Sequence, residues 1–307
     1  MILLAVAGYL VVQYVTSGHG PGCKVVSGTG DGQAYEFTPE QAVNAATIAA
    51  VGTGRGMSER AVTIALATSI QESGLRNIEH GDRDSLGLFQ QRPSQGWGTQ
   101  QQILDPTYAA GVFYEHLAKV PAYETLPLTV AAQREQRSGF PEAYAKHEPD
   151  AALLAAALTG HAPATLTCQG RPDATTVQAT GPDAVRAALL RDFGRGVLQP
   201  AGAEVGRRHA SAPSPSPTPT STSGAHTVTV PVDARKSPAR GRTAGQRGWQ
   251  LAHWAVANAT ALHIERVSFG GREWTAGNTD SRWSTAASHR TGGTEKAADA
   301  VRIVTGQ

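Results

Sequence analysis

The chain is poor in sulfur and in aromatic rings. Among its 307 residues are two cysteines and two methionines, and aromatics make up 6%. Cys23 and Cys168 form no CxxC and no Cys/His cluster, which argues against a zinc site. Neither a metal nor a cofactor is expected. Charge of one sign is also lacking. A formal net charge of +2 points to no nucleic-acid partner. Long apolar runs are missing too. The N-terminal stretch MILLAVAGYLVVQYV is shorter than the roughly 20 residues a membrane-spanning helix needs. It has no leading basic residues and no A-x-A cleavage site. Its terminal position and the Gly/Ser/Pro-rich stretch from Ser17 to Gly32 favour a signal or membrane-anchor segment over residues 1–16 rather than a buried helix. Gly20-Pro21-Gly22 before Cys23 makes a poor lipobox. The chain is therefore expected at the cell surface or outside the cell, secreted or membrane-anchored. An exported chain with two cysteines usually pairs them. The alternative is two unrelated buried thiols.

What is abundant is small or apolar. The apolar fraction is 40%, enough for a sizeable core, and there are 34 glycines and 18 prolines. After a linker over 17–37, signals over 38–170 are helical. Thr38-Pro39-Glu40-Gln41 has a cap, a proline at the first helical position and Gln at the capping-box position. Ser58 can cap the next helix, and Asp105-Pro106 starts another with Tyr108, Ala109, Val112, Phe113 and Leu117 on one stripe. A connecting segment with room for a helix spans 171–199. Residues 200–247 read as a disordered linker. SAPSPSPTPTSTSG (211–224) cannot bury enough apolar area to fold, and the basic segment ARKSPARGRTAGQRG follows it. That segment is either a solvated tether or a contact for anionic cell-surface polymers. Residues 248–307 read as a small α+β module, with a hairpin turning at Gly270-Gly271 and a further strand near 299–305. Its tryptophans, Trp249, Trp254, Trp274 and Trp283, suit a core better than a sugar platform.

One carboxylate stands out. Glu72 ends the apolar run AVTIALATSIQ and is followed, after fourteen intervening residues, by the compact turn Gly87-Leu88-Phe89-Gln90-Gln91. Cleaving a glycosidic bond needs a carboxylic acid that stays protonated near neutral pH, and an apolar pocket raises a Glu pKa. Asp82 and Asp84 in HGDRDS either position a water or build a polar turn. Trp97 is a sugar platform or a loop anchor.

ATSIQESGLRN, followed by DSLGLFQQRPSQGWGT, resembles the lysozyme-like superfamily, in particular its soluble lytic transglycosylase and goose-type lysozyme branch. Glu72-Ser73 matches the branch's Glu-Ser pair. Gly87-Leu88-Phe89-Gln90 matches its Gly-Leu-Met-Gln motif, with Phe89 for Met. Asp105-Pro106 leading to Phe113-Tyr114-Glu115-His116-Leu117 resembles its next helix. The likeness covers residues 38–160. It implies an all-α lysozyme-like domain, followed by the disordered linker and the small α+β module. It also implies cleavage of peptidoglycan glycan strands between N-acetylmuramic acid and N-acetylglucosamine, with Glu72 as the single catalytic residue. Ser73, Gly87, Leu88, Phe89, Gln90, Gln91 and Trp97 would then line the sugar site. The family's Ala-x-x-Tyr-Asn motif is altered here, with Gln136 and Ser138 at the comparable places and Tyr144 further on as a source of the aromatic hydroxyl. A non-catalytic peptidoglycan-binding protein is the alternative.

Overall fold

The computed structural model describes residues 22–136, 141–170, 181–198, 226–232, 242–278, 282–286 and 300–306, with backbone alone at 133–136 and 141–143. The N-terminal segment 1–16 and residues 200–225 and 233–241 of the linker lie outside these. Among the described residues no helix is long and apolar enough to cross a membrane.

Local chemistry fixes the helix starts. Thr38 accepts from the Gln41 backbone N–H while the Gln41 side chain accepts from Thr38 N–H, and Pro39 opens helix α1 (Pro39–Gly54). Ser58 caps α2 (Glu59–Ser73), which Gly74 ends in the left-handed conformation. Both helices are buried on nearly all sides through small residues, Ala45, Ala46, Ala49 and Ala50 on α1 and Ala61, Ala65 and Ala67 on α2. Alanine stacks let other backbones approach closely. The short α3 (Gln100–Ile103) packs on α4 (Pro106–Leu117), and α4, α5 (Leu128–Gln136), α6 (Glu148–Leu158) and α7 (Pro182–Phe193) pack around these two.

The expectation of an all-α domain is overturned. The described chain is a mixed α/β structure of nine helices and two antiparallel sheets. Strands β1 (Cys23–Val26), β2 (Ala34–Phe37) and β3 (Leu166–Cys168) form one sheet in the order β2-β1-β3. β1 and β2 fall in residues read as linker. Cys23 and Val25 face inward while Lys24 and Val26 face out, an alternation four residues long. Cys23 lies opposite Cys168 in the β1–β3 register, and the two form a disulfide with Cα atoms 4.0 Å apart.

A second sheet runs β4-β8-β5-β6-β7, with β4 (Thr227–Pro231), β5 (Ile264–Phe269), β6 (Arg272–Thr275), β7 (Ser284–Thr285) and β8 (Ala300–Thr305). β4 also falls within the stretch read as disordered. Gly270 and Gly271, at φ 57° and 73°, make the β5–β6 turn with Phe269 opposite Arg272. Helix α8 (Ala244–Ala257), followed by the short α9 (Ala259–Leu262), packs against α1, α6 and β3 as well as against this sheet. One continuous buried cluster therefore runs from Val25 through Ile64 to Trp254 and Ile303. Three tryptophans tie the two regions by hydrogen bonds. Trp274 Nε1 donates to Cys168 O (3.0 Å), Trp283 Nε1 to Leu166 O (2.9 Å) and Trp254 Nε1 to Asp192 Oδ2 (2.8 Å).

His253 on α8 is fully buried between Trp249 and Trp283, and its Nδ1 lies 2.8 Å from Ala157 O. Burial pushes its pKa down to about 4, against a smaller upward pull from that carbonyl. The neutral ring therefore donates Nδ1–H. Since the folded value lies below the unfolded one of about 6.5, the unfolded chain takes up a proton that the folded chain refuses. Stability is lost as pH falls from about 6.5 toward 4, by about 3 kcal/mol. Urea titrations at pH 7 and pH 4 are expected to show that much less loss for His253→Gln than for the native chain.

Candidate active site

Glu72 occupies the last turn of α2, half-buried. The chain leaving this helix is clamped from α1. Gln41 Nε2 donates to Gly74 O (2.8 Å) and Asn44 Nδ2 to Leu75 O (2.8 Å), satisfying carbonyls at the helix end. The position of Glu72 is thus set by two buried helices rather than by a loop.

The Gly87–Gln91 turn is fastened to the same helix end. Leu88 O accepts from Ser73 Oγ (2.8 Å) and lies 3.1 Å from Ser69 Oγ. Leu86 and Gln91 exchange backbone hydrogen bonds of 3.0 and 3.1 Å, closing the turn. Gly87 sits at φ 72°, and a Cβ there would lie 2.7 Å from Ile103 O, so both the conformation and the space demand glycine. Ser73 therefore pins the turn through its hydroxyl rather than bonding to Glu72.

The remaining residues of the motif divide by direction. Leu88 and Phe89 are buried, Phe89 stacking on Phe113 at 4.6 Å between centroids. Gln91 is buried and donates from Nε2 to Ala109 O on α4 (3.2 Å). These three hold the turn against the core. Gln90 alone of the turn's side chains is partly exposed. It adopts φ 48°, donates Nε2–H to Gly87 O (3.2 Å) and lies over Gly81, where a Cβ would collide with it. Trp97 packs with Leu86 and Ile103, leans on the His116 ring at 4.2 Å and receives the Tyr108 hydroxyl on its carbonyl (3.3 Å). These contacts tie its ring and its carbonyl into the loop. Asp84 binds Arg92 Nε (2.8 Å) and the Ser94 N–H (2.9 Å), contacts that hold its carboxyl well below the usual range. Asp84 thereby fixes the loop leading into the 3-10 turn Pro93–Gln95. Asp82 is exposed, and its carbonyl accepts from Ser85 N–H (3.1 Å). Gln136 ends α5, where the backbone alone is described, and Ser138 lies outside the described residues.

A second element meets Glu72 from the other side. The 3-10 turn Pro141–His147 brings Tyr144, fully buried, to donate its hydroxyl to Glu72 Oε1 at 2.6 Å. His147 Nε2 lies 3.0 Å from Gln71 Oε1, so two successive residues of α2 are gripped by one turn. Sequence reasoning reached Tyr144 as a source of an aromatic hydroxyl but not the Gln71–His147 contact, for which no motif exists. Burial raises the Glu72 pKa, and the Tyr144 hydrogen bond opposes it in part. The C-terminal end of α2 carries partial negative charge, which also disfavours the carboxylate. Glu72 is thus biased toward its protonated form, with Oε1 held by Tyr144 and Oε2 without a hydrogen-bond partner among the described residues. Among the described side chains no second carboxylate contributes to its shift. No group of three His, Cys, Asp or Glu among the described residues could hold a metal ion.

No known protein-family model matches the chain, and no curated protein matches it in sequence.

Proposed function

We propose that the chain is an exported, lysozyme-like enzyme that cleaves peptidoglycan glycan strands between N-acetylmuramic acid and N-acetylglucosamine, as lytic transglycosylases do. The observation that carries this reading is the Glu72–Tyr144 pair: a carboxyl biased toward its acid form, with one oxygen occupied by a buried hydroxyl. Glu72 transfers its proton to the glycosidic oxygen as the bond from C1 breaks. The carboxylate left behind is stabilised by Tyr144, because a hydrogen bond to the charged form strengthens as charge develops. That carboxylate then takes the proton of the muramic acid 6-hydroxyl while its oxygen bonds to C1, giving a 1,6-anhydro end. One carboxylate serves both steps, in keeping with its isolation among the described side chains. Gln90, the partly exposed amide of the turn, is the candidate for holding the sugar. Export is supported by the Cys23–Cys168 disulfide, since such bonds persist in oxidising compartments.

The test is to incubate the full chain with purified peptidoglycan and analyse the soluble products by mass spectrometry. Anhydro-muropeptides are expected. Sedimentation with peptidoglycan and no soluble product would replace the enzyme with a binding protein. Tyr144→Phe is expected to lower kcat by about tenfold to a hundredfold, the equivalent of losing a hydrogen bond of about 1.5–3 kcal/mol to a charged group. Removing that bond also raises the Glu72 pKa further. The activity lost as pH rises and Glu72 ionises should then persist to higher pH, an alkaline shift of that limb of the rate profile.

A further inference from the structure

We propose that Arg242 and Arg247, at the start of α8, form a binding site for a phosphate-class oxyanion, separate from Glu72 and independent of the reading given to it. Both guanidiniums donate to a single acceptor. Arg242 Nη1 and Arg247 Nη1 each lie 2.9 Å from Gln250 Oε1. Gln250 is buried, and its own amide is fixed, Nε2 reaching Thr53 Oγ1 at 2.6 Å. Thr53 in turn bonds to the α1 carbonyls of Ala49 and Ala50 (2.8 and 3.0 Å). The shared oxygen is thereby held by a chain of contacts that ends in a buried helix. It cannot be a mobile surface amide that two arginines happen to reach.

The two cations lack a carboxylate partner among the described residues. Arg242 has one further partner, Thr159 O at 3.3 Å, and Arg247 lies over the Phe193 ring at 4.8 Å. Neither makes an ion pair with any described residue. Glu59, the one described acid whose field reaches Arg242, is 2.6 Å from His161 Nδ1. Burial, and for Arg247 the neighbouring charge of Arg242, pushes the pKa of Arg247 down to about 10 and that of Arg242 down from its usual range. The first turn of α8, a 14-residue helix, adds partial positive charge at the same place. Two like charges converge, half-buried, on an amide oxygen that can share its lone pairs but cannot neutralise them.

Chemistry selects the ligand. A carboxylate would balance one guanidinium and leave the other uncompensated. A phosphate group matches both in charge and offers several oxygens to two planar donor forks. Both arginines are partly exposed, so the pair is reachable from solvent. These arginines belong to the basic segment whose charge the glycosidase reading leaves unexplained.

The experiment is thermal unfolding of the full chain with inorganic phosphate from micromolar to low millimolar, at constant ionic strength set with sodium chloride. A saturable rise is expected, about 5 °C at a hundredfold excess over Kd. A parallel titration with dimethyl phosphate distinguishes the sources. Binding of inorganic phosphate alone is expected and marks a free phosphate or monoester, because dimethyl phosphate carries one charge and would leave one guanidinium uncompensated as a carboxylate does. Equal binding of both anions would overturn the charge match on which the site is argued. Arg247→Gln should abolish the response while leaving the ligand-free Tm unchanged or higher, because an uncompensated charge has been removed. Should that variant fail to fold, Arg247→Lys keeps the charge, loses the fork and should weaken binding at least tenfold. A response to neither anion overturns the proposal, as does an equal response in the native chain and the variants.

Discussion

Glu72→Gln is expected to cut the release of soluble muropeptides by about a thousandfold and, at the same time, to make the protein more stable at neutral pH. The first effect is the loss of the general acid, a contribution of about a hundredfold to ten-thousandfold in enzymes that use one. Glutamine keeps the size of the side chain and an oxygen that can still accept from Tyr144, so the 2.6 Å contact need not be broken. The second effect follows from the raised pKa. A carboxyl whose folded pKa lies above its unfolded value supports folding below the unfolded value, and that support is lost as pH rises through the folded one. At neutral pH the native chain carries this cost and the variant does not. Unfolding of both proteins measured from pH 4 to pH 8 should therefore diverge as pH rises, with the variant on top. A substitution that merely damaged the fold would lower activity and stability together. Equal product release by the two proteins would remove Glu72 from the mechanism.

Replacing both cysteines, Cys23→Ser with Cys168→Ser, is expected to cost about 5 kcal/mol in the chain-entropy model, because the bridge closes a loop of 145 residues. That is a large share of the roughly 5–15 kcal/mol that holds an ordinary domain together. The bond also sits at a junction. Trp274 and Trp283 hydrogen-bond to carbonyls of β3, so a frayed β1–β3 pair would loosen their seats as well. Guanidinium titration of the native and double-serine chains checks the number. A cost below about 1 kcal/mol would mean that the β1–β3 pairing holds without its covalent link.

The helices were legible because their signals are local. Thr38, Ser58 and Asp105 each bond within three residues of themselves, and each marks a helix that forms. The first sheet was not legible. Its strands are three or four residues long, and their partners stand far away along the chain, Cys168 opposite Cys23. An alternation of four residues inside a Gly/Ser/Pro-rich stretch cannot be told from a loop. β4 was hidden in the same way, between a Pro/Ser/Thr tract and a basic one. The site was legible in part. Glu72 and the turn carry a recognisable spacing, but whether an amide or an indole faces solvent depends on what packs against it. Gln91 and Trp97 are taken up by α4 and its surroundings, which no short motif encodes. Tyr144 reaches Glu72 across 72 residues of sequence.

The order of strands in the larger sheet has a consequence for how the protein is made. β8 lies between β4 and β5, so two strands translated earlier both wait for one translated after them. Until residue 305 has left the ribosome, β4 has no partner among the described strands and one edge of β5 stays open. Unpaired strand edges invite pairing with other chains. Assembly of this sheet therefore waits on β8, and the interval before β8 docks is when the open edges of β4 and β5 most need shielding from other chains.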